Sequence, residues 1–438
     1  TLSPSSAASD VYKRQSLYYI IQSIINQLIK NPFLTQKILG PIIYMLMITA
    51  ISTYYYLRID RNKYYLIIII IISSFSILPL RLAWDLYRNS LGIILLITTL
   101  ILITSENNRL KYLSIIIGIL IAIAHELATV YAIILLTIST LRKHRKEAKI
   151  EKINIIQIII ISIIFIYQRY HSMARQHILP IGIENPVNII PELIHALNLL
   201  IFTSWINIIL LLSAWKQLRD EYMNYWLLIT SILLLTPLIG IKTIRLPRIV
   251  FMYAVPLTIY STIGIKTLIN KLKLKGTILS SILITILIIT SINYLTTSPL
   301  NPSPYMKYIY YNIDRQIFND LPTGYLQNTV SIEEVDKLVQ IITLTQDIIN
   351  ENSTLALPIQ FYGYAITLIQ TKKIRIINCG EIKQTLNKIT EKSQNNTYTI
   401  WWSNPYGWYG IYEIPENFKP IATNGIFTIY KIIQLKEK

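Results

Sequence analysis

Cysteine is almost missing: Cys379 stands alone among 438 residues, which excludes an intramolecular disulfide and any zinc or redox motif built on cysteine pairs. Charge is scarce as well. Asp, Glu, Lys and Arg make up 15% of the chain against 53% hydrophobic residues, a balance that excludes an ordinary soluble globular protein. The acidic sign is the scarcer, with 23 Asp and Glu against 41 Lys and Arg and a formal net charge of +18. The basic residues sit in short loops between apolar runs, so this excess marks membrane topology and not a nucleic-acid surface. No GxxxxGK[ST], GxGxxG or GxSxG run occurs, which leaves nucleotide hydrolysis, dinucleotide binding and lipase-type serine chemistry without support. HELAT, from His125, is not a zincin site, because Thr129 stands where the second histidine is required. His125, His171 and His177 are not paired across two apolar runs, so haem ligation is unsupported too.

What is present reads as an α-helical polytopic membrane protein. Residues 1–15, TLSPSSAASDVYKRQ, lack the apolar core of a signal peptide and resemble a translated sequencing adapter, so they are set apart as a non-native segment. Residues 16–37 alternate apolar and polar positions at helical spacing and break at Asn31-Pro32, which predicts an interfacial amphipathic helix. Ten apolar stretches follow, at about 38–57, 64–80, 91–104, 112–124, 127–141, 153–167, 197–213, 225–241, 250–268 and 277–296, and predict a transmembrane domain over 38–296 with about ten helices. The pair 112–124 and 127–141 reads equally as one long helix, which would give nine.

Lys and Arg set the orientation. The loops 58–63, 105–111, 142–152, 214–222 and 266–275 carry seventeen of them, and 81–90, 125–126, 168–196 and 241–249 carry seven. The richer set is expected in the cytoplasm, in an integral multi-pass protein of the plasma membrane. That places 81–90, His125-Glu126, 168–196, the region around residue 245 and the whole of 297–438 outside. Residues 297–438 predict a small extracytoplasmic α/β domain, opened by the Pro-rich linker TTSPLNPSPY. A helix over 332–350 with Ser331 as N-cap is followed by strand-like runs at STLALP, KIRII, TYTIWW and GIFTIYKII. Asn352 and Asn395 stand in glycosylation sequons, in keeping with an external face.

The unusual polar groups gather on the external side. In RLAWDLYRNS, residues 81–90, helical spacing puts Arg81, Asp85 and Arg88 on one face, with Asp85 able to meet either arginine. His125-Glu126 interrupts a long apolar run, where an ionisable pair is a functional candidate or else a polar turn between short helices. QRYHSMARQH supplies Arg169, His171, Arg175 and His177, and IKTIRLPRIV supplies Lys242, Arg245 and Arg248 on the side where the topology rule disfavours them. Guanidinium groups bind phosphate in a bidentate manner, so these clusters suit a phosphorylated anionic ligand or lipid headgroups. The aromatic run TIWWSNPYGWYG, residues 399–410, suits the core and turn of a small domain better than a sugar-stacking platform.

Taken in order and by sidedness, NPFLTQKILGPIIYMLMITAISTYYYLR, LRLAWDLYRNSLGIILL, AIAHELATVYAIILL, RLPRIVFMYAVPLTIYSTIGI and the closing IPENFKPIATNGIFTIYKI resemble the GT-C superfamily of membrane glycosyltransferases. The dolichyl-phosphate-mannose mannosyltransferases are the type that the pattern resembles. The resemblance implies an enzyme that transfers a sugar from a polyprenyl-phosphate donor to a glycan, lipid or protein acceptor on the external face, with the bilayer as its other partner and no nucleic acid. It implies a donor-phosphate site drawn from Arg81, Arg88, Arg169, His171, Arg175, Arg245 and Arg248, with Asp85, His125 and Glu126 in supporting roles. The family's catalytic carboxylate lies in the first external loop, a region expected upstream of Ser16, so no residue here takes the part of general base. The oligosaccharyltransferase branch carries a WWDYG motif, and WWSNPYGWYG lacks its aspartate. Asp85 stands alone where that branch uses acidic pairs, so no cofactor and no metal are expected. The competing class is a transporter, or a non-catalytic lipid- or glycan-binding membrane protein, in which the same charges would line a passage or a binding surface.

Overall fold

The computed structural model describes residues 16–147, 152–170, 182–183, 186–242, 246–296, 332–369, 374–378, 396–403, 414 and 417–433. These fall into two compact units that divide near residue 296. The first is helical. Helix α1 (Ser16–Ile29) ends where Lys30 enters the left-handed region at φ 56°, and α2 (Pro32–Arg58) starts at once. Asn31 makes this turn possible: its Oδ1 accepts from Leu34 N at 3.0 Å as an N-cap, and Pro32 takes the first helical position, where a missing N–H costs nothing. The apolar face of α1 buries Tyr18 against Leu39, Ile43, Leu91 and Ala124, while Ile20, Ile24 and Leu28 face outward.

Proline and serine then break the next apolar stretch. The expected helix over 64–80 is instead α3 (Lys63–Phe75) and α4 (Ile77–Asp85), bent by 61°. The cause is Pro79, which has no N–H for the Phe75 carbonyl and whose ring crowds that carbonyl. The carbonyls freed at the break are taken by neighbours. Ser291 Oγ donates to Phe75 O, and the Tyr44 hydroxyl donates to Ser74 O at 2.8 Å. Helices α5 (Tyr87–Ile103), α6 (Asn108–Ala124), α7 (Glu126–Glu147), α8 (Lys152–Tyr170) and α9 (Pro186–Ala214) follow. The unit closes with α10 (Glu221–Leu235), the short α11 (Leu246–Val250), α12 (Ala254–Leu272) and α13 (Leu274–Thr296). A two-residue ribbon pairs β1 (Gly182–Ile183) antiparallel with β2 (Ile241–Lys242).

The segment Leu246–Leu272 is the central strut, with 94% of its most apolar window buried. It can be central because Gly264 lets α12 meet α9 closely; a Cβ there would land on the Leu210 carbonyl. Beside this contact, Asn207 Nδ2 donates to Ser76 Oγ at 3.2 Å and to Ser261 Oγ at 3.1 Å, tying the α3–α4 break to α9 and α12.

The count of ten spans is corrected by these lengths. All ten apolar stretches are helical, but among the described residues five helices are long and apolar enough to cross a membrane, or six if the bent pair α3–α4 is one span. A helix of 17 residues, such as α5 or α6, is about 25 Å long, short of a hydrocarbon core of roughly 30 Å. The chain thus has the make-up of an integral membrane protein. The alternative of one helix across 112–141 is excluded by an extended backbone at His125, φ −159° and ψ 125°.

The second unit is a small α/β domain. Helix α14 (Ile332–Ile348) precedes a five-stranded sheet of order β4-β3-β5-β7-β6, in which β3 (Thr354–Leu357) runs parallel to β4 (Arg375–Asn378) and to β5 (Thr397–Trp402). Strands β7 (Phe427–Ile432) and β6 (Phe418–Asn424) complete it antiparallel, and α15 (Ile359–Leu368) links β3 to β4. All six residues of β5 are buried, which fits its central place. Trp401 and Trp402 are core residues, the latter edge-on to Phe361 at 5.1 Å between ring centroids. The N-cap Ser331, Cys379, the sequon residue Asn395 and the remainder of the aromatic run, 404–410, lie outside the described residues.

Two glycines separate close packing from helix propensity. Gly264→Ala is expected to destabilise the first unit by about 1–3 kcal/mol through overpacking against the Leu210 backbone. Gly363→Ala, in α15 with open space at its Cβ position, is expected to stabilise the second unit by about 0.5–1 kcal/mol. Denaturation of each variant in detergent, followed by circular dichroism, checks both signs.

Candidate functional site

The helix breaks place the polar residues. Arg81 belongs to α4 and Arg88 to α5, because the chain leaves the helical conformation at Leu86, φ −94° and ψ 41°. This corrects the reading of 81–90 as one helix with both arginines on a common face. Ser90 ties the two helices together, its Oγ donating to the Leu82 carbonyl at 2.8 Å. Arg81 is buried at 5% exposure, its guanidinium 5.5 Å from the ring centroid of Phe251. The Arg88 guanidinium lies 5.8 Å from the Tyr19 ring centroid. Its Nη1 is buried and has no hydrogen-bond partner.

An aromatic wall flanks Arg88. Tyr87 stacks on Tyr18 at 5.6 Å and 18°, and Tyr18 meets Tyr19 edge-on at 5.5 Å. Tyr87 can reach this position because Gly40 of α2 offers no Cβ, which would otherwise lie 2.9 Å from the Tyr87 hydroxyl. The Tyr18 hydroxyl is a second buried polar group without a partner. Such groups cost about 1–3 kcal/mol each when left unsatisfied, more when charged.

His125 joins α6 to α7. Its Nδ1 accepts from Ala128 N at 3.3 Å in the manner of an N-cap, and Thr129 Oγ1 donates to its carbonyl at 2.8 Å. Nδ1 is therefore the acceptor, which leaves the ring proton on Nε2 in the neutral form. The ring fits against α5 only because residue 92 is glycine, where a Cβ would come within 2.6 Å of His125 Cβ. Burial, followed by the nearby charges of Arg88 and Arg248, holds the imidazole down at about 3. Arg248, on α11, is exposed, and Glu126 begins α7. Both of these, like Arg81, are engaged by other groups of the fold.

The structure thus brings Arg88 and Arg248 to His125, and Arg81 to Phe251, three residues beyond Arg248. Among the expected site residues, His171, Arg175 and Arg245 lie outside the described residues, as do His177 and the side chains of Asp85, Arg169 and Lys242. A contact of Asp85 with either arginine therefore falls outside them too. Sequence reasoning missed Tyr18, Tyr19, Tyr87 and Phe251, because aromatics in an apolar helix look like core. The one signal was the Tyr18-Tyr19 pair on a helix expected to be amphipathic.

The opposite loops also converge. Arg58, Lys111, Arg142, Arg219 and Lys266, from five loops of the basic set, line one cavity. Gly40, against which Tyr87 packs, is roughly 27 Å along α2 from Arg58. Gly40 and Arg58 thus stand near opposite ends of α2.

The pH dependence of His125 has a definite sign. Its pKa is depressed from 6.5 to about 3 in the folded chain, so the unfolded chain binds the proton first as pH falls, and stability is lost below about 6.5. At pH 5 the loss is about 2 kcal/mol. His125→Asn keeps an N-cap acceptor and removes the titration, so its melting temperature is expected to fall less than that of the parent between pH 7 and 5, read in detergent by scanning calorimetry. A scan against protein-family models and a search of curated proteins both gave no match to this chain.

Proposed function

We propose that the chain is a membrane glycosyltransferase of the GT-C type, which takes a sugar from a polyprenyl-phosphate donor and transfers it to an external acceptor. The single observation that carries this reading is the unpartnered, buried Nη1 of Arg88 beside His125 and Arg248. A buried cationic donor without an acceptor is costly, and a phosphate oxygen from a ligand would satisfy it. Arg81, Arg88 and Arg248 would hold the donor phosphate, with His125 offering its Nε2–H as a neutral donor. The aromatic wall of Tyr18, Tyr19 and Tyr87 would cover the apolar side of the site.

In that reaction the acceptor hydroxyl attacks the anomeric carbon while the bond to the lipid phosphate breaks. The arginines stabilise the charge that collects on the departing phosphate. Asp85 and Glu126 support this site, and no residue of the chain is assigned as general base. His125 does not act as one through Nδ1, since that atom caps α7. The reading also sets the protein in the plasma membrane, with this site and the C-terminal domain on the external side and the cavity lined by Arg58 in the cytoplasm.

Donor binding tests the assignment without requiring turnover. With the full chain in nanodiscs and a polyprenyl-phosphate-linked hexose as ligand, Arg81→Ala, Arg88→Ala and Arg248→Ala are each expected to weaken binding about tenfold. Arg109→Ala, in a loop of the opposite set, is expected to leave it unchanged. Equal losses in all four variants, or no binding by the parent chain, would remove the basis for the site.

A further inference from the structure

A second site lies in the basic-loop end of the helical unit, in a cavity of about 800 Å³, within the usual size range of small-molecule sites. Six cationic side chains line it: Arg58, Lys111, Arg142, Lys143, Arg219 and Lys266. Three carboxylates share the lining, Asp60, Asp220 and Glu221, and each is already committed. Asp60 holds Lys266 at 2.7 Å, and Glu221 holds Arg142 at 2.9 Å. Asp220 Oδ1 accepts from the Tyr54 hydroxyl at 2.8 Å and from Met223 N at 2.9 Å as the cap of α10, and burial raises its pKa. The acids hold the fold together, and the lining keeps a net excess of three positive charges.

Tyr55 supplies an independent sign of a ligand. It lines the same cavity, is 0% exposed, and its hydroxyl has no hydrogen-bond partner. Its neighbour Tyr54 shows how such a group is ordinarily satisfied in this fold, through Asp220. A buried hydroxyl left open beside an excess of guanidinium and ammonium groups matches an acceptor-rich anion.

We propose that this cavity binds a phosphate or pyrophosphate group, on the opposite side of the unit from the Arg88 site and independently of it. Arg58 and Arg219 contact the phosphate oxygens from the rim, and the Tyr55 hydroxyl donates to it from the wall. The phosphate can come from a free phosphorylated solute or from the headgroup of an anionic lipid in the adjoining leaflet.

The test titrates inorganic pyrophosphate into the full chain held in neutral phosphatidylcholine nanodiscs, and in parallel compares the chain in nanodiscs containing phosphatidic acid. The readouts are binding heat and the shift of the melting temperature. Arg58→Gln and Arg219→Gln are each expected to raise the dissociation constant about tenfold, with Arg109→Gln unchanged. Tyr55→Phe is expected to weaken binding while holding or raising the melting temperature of the ligand-free chain, an outcome that a purely structural tyrosine would not give. Saturable pyrophosphate binding with this pattern identifies a free solute as the source. A response to phosphatidic acid alone, with the same pattern, identifies a headgroup. Absence of both responses, or responses that Arg58→Gln and Arg219→Gln leave intact, would overturn the proposal.

Discussion

Inside an apolar helical unit, each backbone carbonyl that loses its helical partner must find another, and most of what is distinctive in this protein follows from how it does so. Pro79 frees carbonyls at the end of α3, and the answer is two hydroxyls from distant helices, Tyr44 and Ser291. At Leu86 the tie is Ser90 Oγ, which donates to the Leu82 carbonyl, and at His125 the group in need is an N–H, that of Ala128, which donates to the imidazole Nδ1. Each break is thus a fixed corner and not a loose joint. Because the corners are fixed, the residues beside them are held in place, and these are Arg81, Arg88 and His125.

The same constraint explains why the polar chemistry is confined to the ends of the helices. A charge in the middle of α9 or α12 would need a partner in hydrocarbon; there the structure uses only neutral groups, Asn207, Ser76 and Ser261, which satisfy one another. At the ends the two faces of the unit differ in how they treat charge. On the face with the richer basic loops, acids pair with bases and leave an excess of cations around a cavity. On the other face, Arg81 and Arg88 stack on Phe251 and Tyr19. Cation–π contacts of this kind hold a guanidinium in position against an aromatic face.

Much of the helical unit was legible in the sequence because apolar runs are local signals; its helix starts were not read, although N-cap residues mark them. Asn31, Asn62, Asn107 and Asp220 each accept a hydrogen bond from the first turn of a helix. The strands at 354–357, 375–378, 397–402 and 427–432 were legible for the same reason. Strand β6 was not, since FKPIATN carries a proline and a register shift between Pro420 and Ala422 that blur its alternation. The span count failed because several of the ten apolar stretches, 91–104 and 112–124 among them, form helices shorter than a membrane span and do not lengthen far enough into their flanks. The run at 64–80 is apolar enough for one helix, and a single residue, Pro79, divides it. The grouping of Arg88 and Arg248 near His125 could be suspected from their common side, but the seating of the His125 ring depends on Gly92 and that of Tyr87 on Gly40, whose contribution is the absence of a side chain.

That dependence bears on how the Arg88 site could arise at all. A glycine that admits the His125 ring and another that admits Tyr87 give up helix propensity, at about 1 kcal/mol each relative to alanine. The fold also tolerates two buried polar groups without partners, Arg88 Nη1 and the Tyr18 hydroxyl, within one aromatic cluster. Replacing Arg88 by an apolar side chain would relieve part of that cost, so stability alone gives no reason for a guanidinium there. Gly40 and Gly92, which weaken their helices at this corner, are the residues that admit Tyr87 and the His125 ring. Buried polar groups without partners occur elsewhere among the described residues too, Tyr55 and Tyr294 among them; what sets this corner apart is that one of its two belongs to a guanidinium.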